Sequence, residues 1–409
     1  MGKVLRLALM ALAGAALAVQ AQEGPVGPDG VAFYTPVSPL PQGAPGDVLQ
    51  IRPLDGTMAL PSAKRTTLVM YLSVTPQDGP VAVTGSISLP KGTAPEGGWP
   101  VIVWTHGTTG LAAVCGPSRD TANGPEHGYV AVIAALLDQA VAAGYAVVAT
   151  DYQGLGMEGV HPFLQGVPNA KNALDLLRAA RRIEPEIGSR FAVMGHSQGG
   201  QADLFTAALA ADYLPGLTLV GNVAMAPGSQ IAARVEKVRR SGKVELSLPY
   251  VTYAMISYSG TDPAIDLSRI LMPTALAAIP ELYVDCMTHA LTTGFWSTAI
   301  ASEQFRPDAD LAPFLEAGAK NEPGRLDIPV PTLIFQGTAD VTVFPQATDL
   351  LARQLCERGT RLDYRTLPGA DHEGSMTEGA TGALDWLADR FAGKPAASNC
   401  DRLPAAFAP

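Results

Sequence analysis

A short motif in the middle of the chain has the residue types of a nucleophilic serine site. Residues 195–199 read Gly-His-Ser-Gln-Gly, a Gly-x-Ser-x-Gly pattern that occurs once, between an apolar segment and an Ala-rich segment of helical composition. Glycines two positions to either side of the serine permit the strained strand-to-helix turn that exposes a nucleophilic hydroxyl. The pattern predicts Ser197 as the nucleophile of a serine hydrolase. The turn that carries it comprises Gly195, His196 and Gly199.

A serine hydroxyl attacks only when a base removes its proton, so the base is sought among the histidines. After such a serine motif, the expected order along the chain is acid and then histidine. Only His289 and His372 follow Ser197. His372 lies in a loop between a predicted strand (362–366) and the final predicted helix (376–391), whereas His289 lies in an interval with few strand signals. His372 is therefore the predicted base.

The base needs an orienting carboxylate. Asp340 closes the loop after a predicted strand (332–335), upstream of His372, which is the expected position of the acid. Asp371 is adjacent to His372, but neighbouring side chains in a loop seldom face each other, and we expect it to be solvated. Asp349 lies one helix further on. Asp340 is the predicted acid.

The oxyanion of the tetrahedral intermediate needs at least two hydrogen-bond donors. The backbone N–H of Gln198, directly after the nucleophile, is the first candidate. The second is expected in residues 106–110, which follow a short apolar strand (101–105) and read His-Gly-Thr-Thr-Gly. Thr108 is favoured there, with Gly107 as the alternative. His106 is interpreted as a loop-shaping residue, and His196 as support for the serine turn.

Buried strands that alternate with helices predict an α/β fold with a mostly parallel central sheet flanked by helices. The alternation stops between residues 228 and 326, where proline-broken helical segments predict a cap. A chain of 409 residues also exceeds what one core usually organises. The predicted organisation is a signal peptide (1–21), an extended N-terminal segment (22–65), a core (66–227 and 327–395), a cap (228–326) and a C-terminal tail (396–409).

The start of the chain predicts export. Lys3 and Arg6 precede an apolar run, and small residues lead to a cleavage site after Ala21, as in secretory signal peptides. The apolar run is shorter than the roughly 20 residues of a membrane span. The mature chain would keep four cysteines, which in an oxidising compartment favours two disulfides with three alternative connectivities. We therefore expect a secreted, extracellular or periplasmic protein without a transmembrane segment.

Charge and motif spacing exclude several other functions. The net charge of −10 argues against nucleic acid or anionic membranes as partners. The histidines are scattered, and no His-x-x-x-His or Cys-x-x-Cys spacing occurs, so no metal site is predicted. Residues 154–156 are too short for a dinucleotide fingerprint, and no cofactor is expected. The expected partner is a small-molecule or lipid ester substrate, and the oligomeric state is left open.

Further segments resemble the secretory lipases of the α/β-hydrolase superfamily, in their lipase A-like branch. Residues 151–156 are similar to that family's Asp-Tyr-Glu-Gly-Leu-Gly loop, with Gln153 in the place of Glu. The His-Gly start of the 106–110 loop resembles general esterases more than lipase A. The likeness extends from about Leu68 to Phe391 and includes His161-Pro-Phe, residues 172–181, Gly-His-Ser-Gln-Gly-Gly at 195–200, Cys115-Gly-Pro-Ser, Asp340 and His372.

The resemblance implies an α/β-hydrolase fold with a helical cap, hydrolysis of triacylglycerols or simpler esters, and the disulfides Cys115–Cys286 and Cys356–Cys400. We therefore expect a serine carboxylic ester hydrolase, a lipase or esterase, that acts through an acyl-enzyme on lipid-like or other apolar esters. Acyl transfer and peptide-bond cleavage with the same triad remain alternatives, because these reactions differ in what enters the cleft. A non-catalytic binding protein on the same fold would show a damaged triad.

Overall fold

The computed structural model describes residues 24–403. The predicted signal peptide, residues 1–21, lies outside the described residues, as does the end of the predicted C-terminal tail, residues 404–409. Within the described range, no helix is both long enough and apolar enough to cross a membrane.

A single sheet of nine strands forms the centre of the described chain. The strands are β1 (Val48–Pro53), β2 (Ala63–Val74), β3 (Pro80–Pro90), β4 (Trp99–Thr105), β5 (Ala146–Thr150), β6 (Ile187–His196), β7 (Thr218–Met225), β8 (Thr332–Gly337) and β9 (Leu362–Leu367). Their spatial order is β1-β2-β3-β5-β4-β6-β7-β8-β9. Pairing is antiparallel from β1 to β5 and parallel from β5 to β9, which confirms the mostly parallel sheet.

Helices cover both faces of the sheet, and this explains why its inner strands are apolar. Every residue of β5 and of β8 is buried, as expected for parallel strands packed on two sides. The helices are α1 (His127–Ala142), α2 (Gly166–Ile183), α3 (Gln198–Tyr213), α4 (Ile231–Arg239), α5 (Leu248–Ser259), α6 (Leu267–Ile270), α7 (Pro273–Ala278), α8 (Met287–Thr292), α9 (Ala312–Lys320), α10 (Pro345–Glu357), α11 (Gly374–Thr377) and α12 (Ala380–Phe391).

The N-terminal segment, for which we predicted an extended stretch without assigned strands, takes part in the sheet. It supplies β1, which pairs antiparallel with β2, and a short 3₁₀ helix whose Phe33 is fully buried. The strand was missed because five of its six residues are half-buried and give no alternating pattern. Backbone bonds between Ile51 and the segment 25–27 cover part of this sheet edge. The segment thereby closes one side of the sheet.

The interval between β7 and β8 is helical in the described structure and has its own apolar core. Tyr253, Trp296 and Phe314 are fully buried in this core. The cluster also takes in Leu111 and Phe163 from outside the interval, so the interval packs directly on the loops at the sheet edge. This is the position in which we expected a cap.

Two disulfides join distant parts of the chain. Cys115–Cys286 links residues 171 positions apart, and Cys356–Cys400 links residues 44 positions apart. The first bond connects the loop after β4 to the cap directly before α8. The second connects α10 to the C-terminal segment. Both pairs are those that the resemblance implies.

Candidate active site

Ser197 lies at the junction of β6 and α3 in a strained backbone conformation. Its φ is 59° and its ψ is −120°, a region that residues with side chains rarely occupy. The Ser197 N–H donates to the carbonyl of Met225 at 2.9 Å, and its carbonyl accepts from the N–H of Gly228 at 2.8 Å. These bonds to the segment that follows β7 hold the turn in place.

The glycines of the motif are required by a close approach of α3 to the end of β4. A Cβ atom on Gly199 would lie 1.9 Å from the carbonyl oxygen of Thr105. A Cβ atom on Gly195 would lie 2.3 Å from the Thr105 hydroxyl oxygen. That hydroxyl donates to the carbonyl of Gly199 at 2.9 Å. A side chain at either position would therefore force the serine turn away from β4.

Asp340 and His372 are hydrogen-bonded to each other. His372 Nδ1 donates to Asp340 Oδ2 at 2.7 Å. The two residues follow β8 and β9, adjacent parallel strands whose carboxyl ends meet at the same edge of the sheet. Asp340 is only 2% exposed, and further donors compensate its burial: Gln336 Nε2 on Oδ2, and the N–H groups of Thr342 and Val343 on Oδ1.

The residues that we considered less suitable for these roles lie elsewhere. His289 is in the cap, where its ring contacts the Glu281 carboxylate at 2.8 Å. Asp371 is exposed and accepts the N–H of Gly374 at 2.8 Å. Neither residue lines a cavity that contains Ser197.

Ser197 lines two cavities. One has a volume of about 90 Å³, and its walls include His372, His196, Tyr129 and Thr108. The other has a volume of about 60 Å³ and a mainly apolar surface, although polar side chains such as Arg234 and Glu322 also border it. Its lining includes Phe163, Leu164, Ile231, Tyr250 and Val343. The serine thus stands between a histidine-containing space and an apolar one.

The loop after β4 distinguishes between the two candidates for the second oxyanion donor. The N–H of Gly107 donates to the Tyr129 hydroxyl at 3.1 Å. This N–H is engaged, which favours Thr108 over Gly107 as the candidate for the second oxyanion donor. Thr108 lines both cavities with Ser197, and its N–H has no acceptor within residues 24–403. Gln198 is the first residue of α3, a position whose N–H has no partner within the helix.

A chain of hydrogen bonds runs from this loop to the backbone of His372. Tyr129, which accepts from Gly107, contacts His196 Nδ1 at 2.6 Å. His196 Nε2 lies 3.1 Å from the carbonyl oxygen of His372, and the two imidazole rings are 4.4 Å apart at their centroids. Tyr129 was not predicted from the sequence, because it lies in the apolar pattern of α1 and its partners are far away along the chain.

The partners of His196 indicate which ring nitrogen carries the hydrogen. A carbonyl oxygen only accepts, so His196 Nε2 carries a hydrogen, and in a neutral ring Nδ1 then accepts from the Tyr129 hydroxyl. Burial, followed by the neighbouring His372, lowers the pKa of His196 well below its ordinary value. A neutral His196 at physiological pH agrees with the hydrogen-bond pattern. The neutral ring of His196 therefore connects the serine turn, to which it belongs, with the loop that carries His372.

The segment 151–156 packs beneath the site. The Tyr152 hydroxyl donates to the carbonyl of His106 at 3.1 Å, and the Tyr152 ring stacks on His161 at 5.7 Å. His161 Nδ1 contacts the carbonyl of Gln153 at 2.9 Å, so its Nε2 accepts from the side chain of Gln198 at 2.8 Å. Burial lowers the pKa of His161 to about 3. These residues therefore order the start of α3 without carrying charge.

Glu126 connects the core to the cap beside the cavity of about 90 Å³ that His372 lines. Its carboxylate accepts the backbone N–H of Thr288 at 2.6 Å and the Thr288 hydroxyl at 3.1 Å. Burial raises the pKa of Glu126 to about 7; the bonds from Thr288 oppose this shift and the charge of Asp120 adds to it. The packing of α8 on the core therefore involves a carboxyl group that titrates near neutral pH. No motif in the sequence indicated it.

Comparison with known proteins identifies relatives across most of the chain. The family described as secretory lipase matches residues 129–399. A Mycobacterium tuberculosis protein described as a probable inactive lipase is 24% identical, over 92% of this chain and 85% of its own length. Lipase 10 of Candida albicans is also 24% identical, over 90% of this chain and 82% of its own length.

Solved structures share the fold. The crystal structure of Candida antarctica lipase A matches 92% of this chain and 89% of its own, with a TM-score of 0.77 and 19% identity. The rice cell wall degrading esterase LipA from Xanthomonas oryzae matches 86% of this chain and 100% of its own, with a TM-score of 0.69 and 19% identity. These similarities confirm the predicted α/β-hydrolase fold.

We expect Tyr129→Phe to lower kcat for a p-nitrophenyl ester about tenfold while KM changes little. The substitution leaves the Gly107 N–H and His196 Nδ1 without a partner; a hydrogen bond contributes about 1 to 1.5 kcal/mol, which corresponds to about tenfold in rate. Steady-state kinetics with a thermal melt would measure this. Tyr145→Phe is the control, because the Tyr145 ring packs at an angle against Phe391 and its hydroxyl has no hydrogen-bond partner among residues 24–403. Equal kcat values for both variants would contradict the positioning role of Tyr129.

We expect Glu126→Gln to remove a pH-dependent contribution to stability. The unfolded chain releases this proton near the ordinary pKa of 4.5, whereas the folded protein retains it up to about 7. The contribution is fully present below about 4.5 and is lost as the pH rises through about 7. Each pKa unit corresponds to about 1.4 kcal/mol, so the unfolding free energy of wild type should fall relative to the variant by a few kcal/mol at most.

Urea unfolding between pH 4.5 and 8 would measure this difference. Glu303→Gln, at an exposed position of the cap, is the control and should follow wild type across the range. A constant difference between wild type and Glu126→Gln would show that Glu126 does not titrate in this window.

Proposed function

The chain belongs to the secretory lipase family, and from this membership and the geometry around Ser197 we propose that it is a secreted serine hydrolase of carboxylic esters. The observation that carries the proposal is the Asp340–His372 hydrogen bond of 2.7 Å beside a cavity that also contains Ser197. The family and the fold support lipase or esterase activity. The two disulfides and the sequence of residues 1–21 support secretion.

Acylation follows from the roles of these three side chains. Ser197 Oγ attacks the ester carbonyl carbon while His372 Nε2 takes the hydroxyl proton, and the carbonyl electron pair moves onto the oxygen. The Asp340 carboxylate holds His372 Nδ1 and stabilises the imidazolium that forms. When the tetrahedral intermediate collapses, the alcohol oxygen leaves with the proton of His372. Water then repeats the same steps on the acyl-enzyme and releases the acid.

Two backbone donors serve the oxyanion in this proposal. The N–H of Gln198 is available at the start of α3, and the N–H of Thr108 faces no acceptor in the described structure. Donors fixed by the backbone are already oriented before charge develops, and this preorganisation is the main source of their effect. The strained backbone conformation of Ser197 places the first turn of α3 next to the Ser197 hydroxyl oxygen.

The alternative of a non-catalytic binding protein has less support. One relative is described as a probable inactive lipase, so loss of activity is a relevant comparison. A chain without selection for catalysis would have no need to keep a buried Asp340 with compensating donors and a strained Ser197 turn. Buried carboxylates and strained turns cost stability, and their joint presence supports a catalytic role.

The two cavities suggest how an ester would lie. The leaving alcohol must receive its proton from His372, so it belongs in the cavity that His372 lines, and the acyl group belongs in the apolar cavity. A water needs roughly 10–15 Å³ of such space, so the apolar cavity of about 60 Å³ holds the equivalent of only a few waters. This size favours a short acyl group.

We expect Ser197→Ala to reduce kcat for p-nitrophenyl butyrate at least about a thousandfold, because the residual rate then depends on binding and the oxyanion donors alone. Spectrophotometric assays of purified wild type and variant would measure the change. Ser398→Ala, which changes an exposed serine of the C-terminal segment, is the control and should keep wild-type turnover. Equal turnover by wild type and Ser197→Ala would reject the proposed nucleophile.

We expect p-nitrophenyl esters of two to five carbons to be hydrolysed at least about tenfold more efficiently than the palmitoyl ester, because a long chain would have to displace the apolar wall. A kcat/KM series over acyl length would measure this. Rates that rise continuously toward long acyl groups would show that the apolar cavity does not limit chain length and would favour a true lipase.

A further inference from the structure

A positively charged side chain of the cap contacts the loop that carries Asp340. Arg234 lies in α4, and its Nη2 donates to the carbonyl oxygen of Thr342 at 2.7 Å. Its Nη1 donates to the hydroxyl of Ser247 at 2.5 Å. The guanidinium carbon lies 4.6 Å from the ring centroid of Phe344. The Phe344 ring therefore packs against one face of the guanidinium, and the hydrogen bonds to Thr342 and Ser247 hold its edge.

One peptide group connects Arg234 to Asp340. The carbonyl of Thr342 and the N–H of Val343 belong to the same planar group and point in opposite directions. Arg234 binds the oxygen end of this group, and the N–H end donates to Asp340 Oδ1 at 2.8 Å. A hydrogen bond to the carbonyl polarises the group and strengthens the bond that its N–H makes. The orientation of this plane therefore affects the carboxylate.

Arg234 is a partly buried cation that contacts uncharged groups in the described part of the chain. In residues 24–403 no Asp or Glu forms an ion pair with it, and its contacts are a hydroxyl, a carbonyl and an aromatic ring. Burial lowers the pKa of Arg234, and the negative charge of Asp340 acts in the opposite direction. A charge removed from water without a directly paired counter-ion is costly, so simple stabilisation of the cap does not explain it.

We propose that Arg234 is a positioning residue that orients the Thr342–Val343 peptide and, through it, the Asp340 carboxylate that holds His372. The inference rests on the proposed function of these residues. It means that the cap contributes to the triad as well as covering it. A displacement of α4 would remove the donor from Thr342 and weaken one of the two backbone N–H hydrogen bonds to Asp340 Oδ1.

A second role for Arg234 has to be separated from this one. Arg234 also lines the apolar cavity, so it could contact the acyl group directly. Direct contact with substrate would appear mainly in KM and would depend on the acyl group. Positioning of Asp340 would appear in kcat and would be the same for an acetyl ester, which occupies little of that cavity.

The chain provides a matched control. Lys237 lies one turn further along α4, and its ammonium nitrogen is 4.1 Å from the centroid of the same Phe344 ring. Among the described contacts it makes none to the 340–343 loop. Lys237→Met therefore removes a cation from the same ring and helix while it leaves the peptide of Thr342 untouched.

The test compares Arg234→Met, Arg234→Lys and Lys237→Met with wild type on p-nitrophenyl acetate, with thermal melts of each. We expect Arg234→Met to lose about tenfold in kcat with KM within twofold of wild type, Arg234→Lys to recover part of that loss, and Lys237→Met to stay within twofold. Arg234→Ala should regain kcat when millimolar guanidinium is added, since the ion can occupy the vacated site, and Lys237→Ala should not respond.

Three results would overturn the inference. These are an unchanged kcat with a raised KM in Arg234→Met, equal losses in Arg234→Met and Lys237→Met, or no recovery in both Arg234→Lys and the guanidinium experiment. Each is judged between variants that keep Ser197. A failure of the proposed function is separate, because it would appear as turnover that persists in Ser197→Ala.

Discussion

The contact between the first turn of α3 and the end of β4 determines the geometry of the whole site. Thr105 meets the serine turn through its carbonyl and its hydroxyl, at distances that exclude any side chain on Gly199. The loop that follows Thr105 carries Thr108, so the same contact sets the positions of Ser197 and of the proposed oxyanion donor relative to each other. From Gly107, a chain of hydrogen bonds continues through Tyr129 and His196 to the backbone carbonyl of His372.

Local sequence patterns predicted the parts of the site that depend on strand and helix order. Ser197, Asp340 and His372 each follow a strand, and parallel strands bring their carboxyl ends to one edge, so their meeting could be anticipated. Tyr129 and Glu126 could not, because their roles come from partners 67 and 162 positions away along the chain. The choice between Gly107 and Thr108 likewise depended on where a hydroxyl of α1 would point.

Burial keeps two histidines of the site neutral. His196 and His161 are fully enclosed, their pKa values are lowered mainly by loss of hydration, and their hydrogen bonds are compatible with neutral rings. Both stay neutral near pH 7, so neither would repel the imidazolium that the proposed mechanism forms on His372. His372 thus has buried, polar and uncharged imidazole rings around it, whereas the ionisable groups Arg234 and Glu126 lie where the core meets the cap.

The Cys115–Cys286 bond divides the site in a way that the sheet does not. It closes a covalent ring over 171 positions, and Ser197 and Arg234 lie inside the ring while Asp340 and His372 lie outside it. A protease that cuts one exposed loop of the ring would leave both fragments covalently joined, with Ser197 still linked to the rest of the chain. A nicked molecule thus keeps all four of these residues in one covalent assembly, because no fragment can diffuse away.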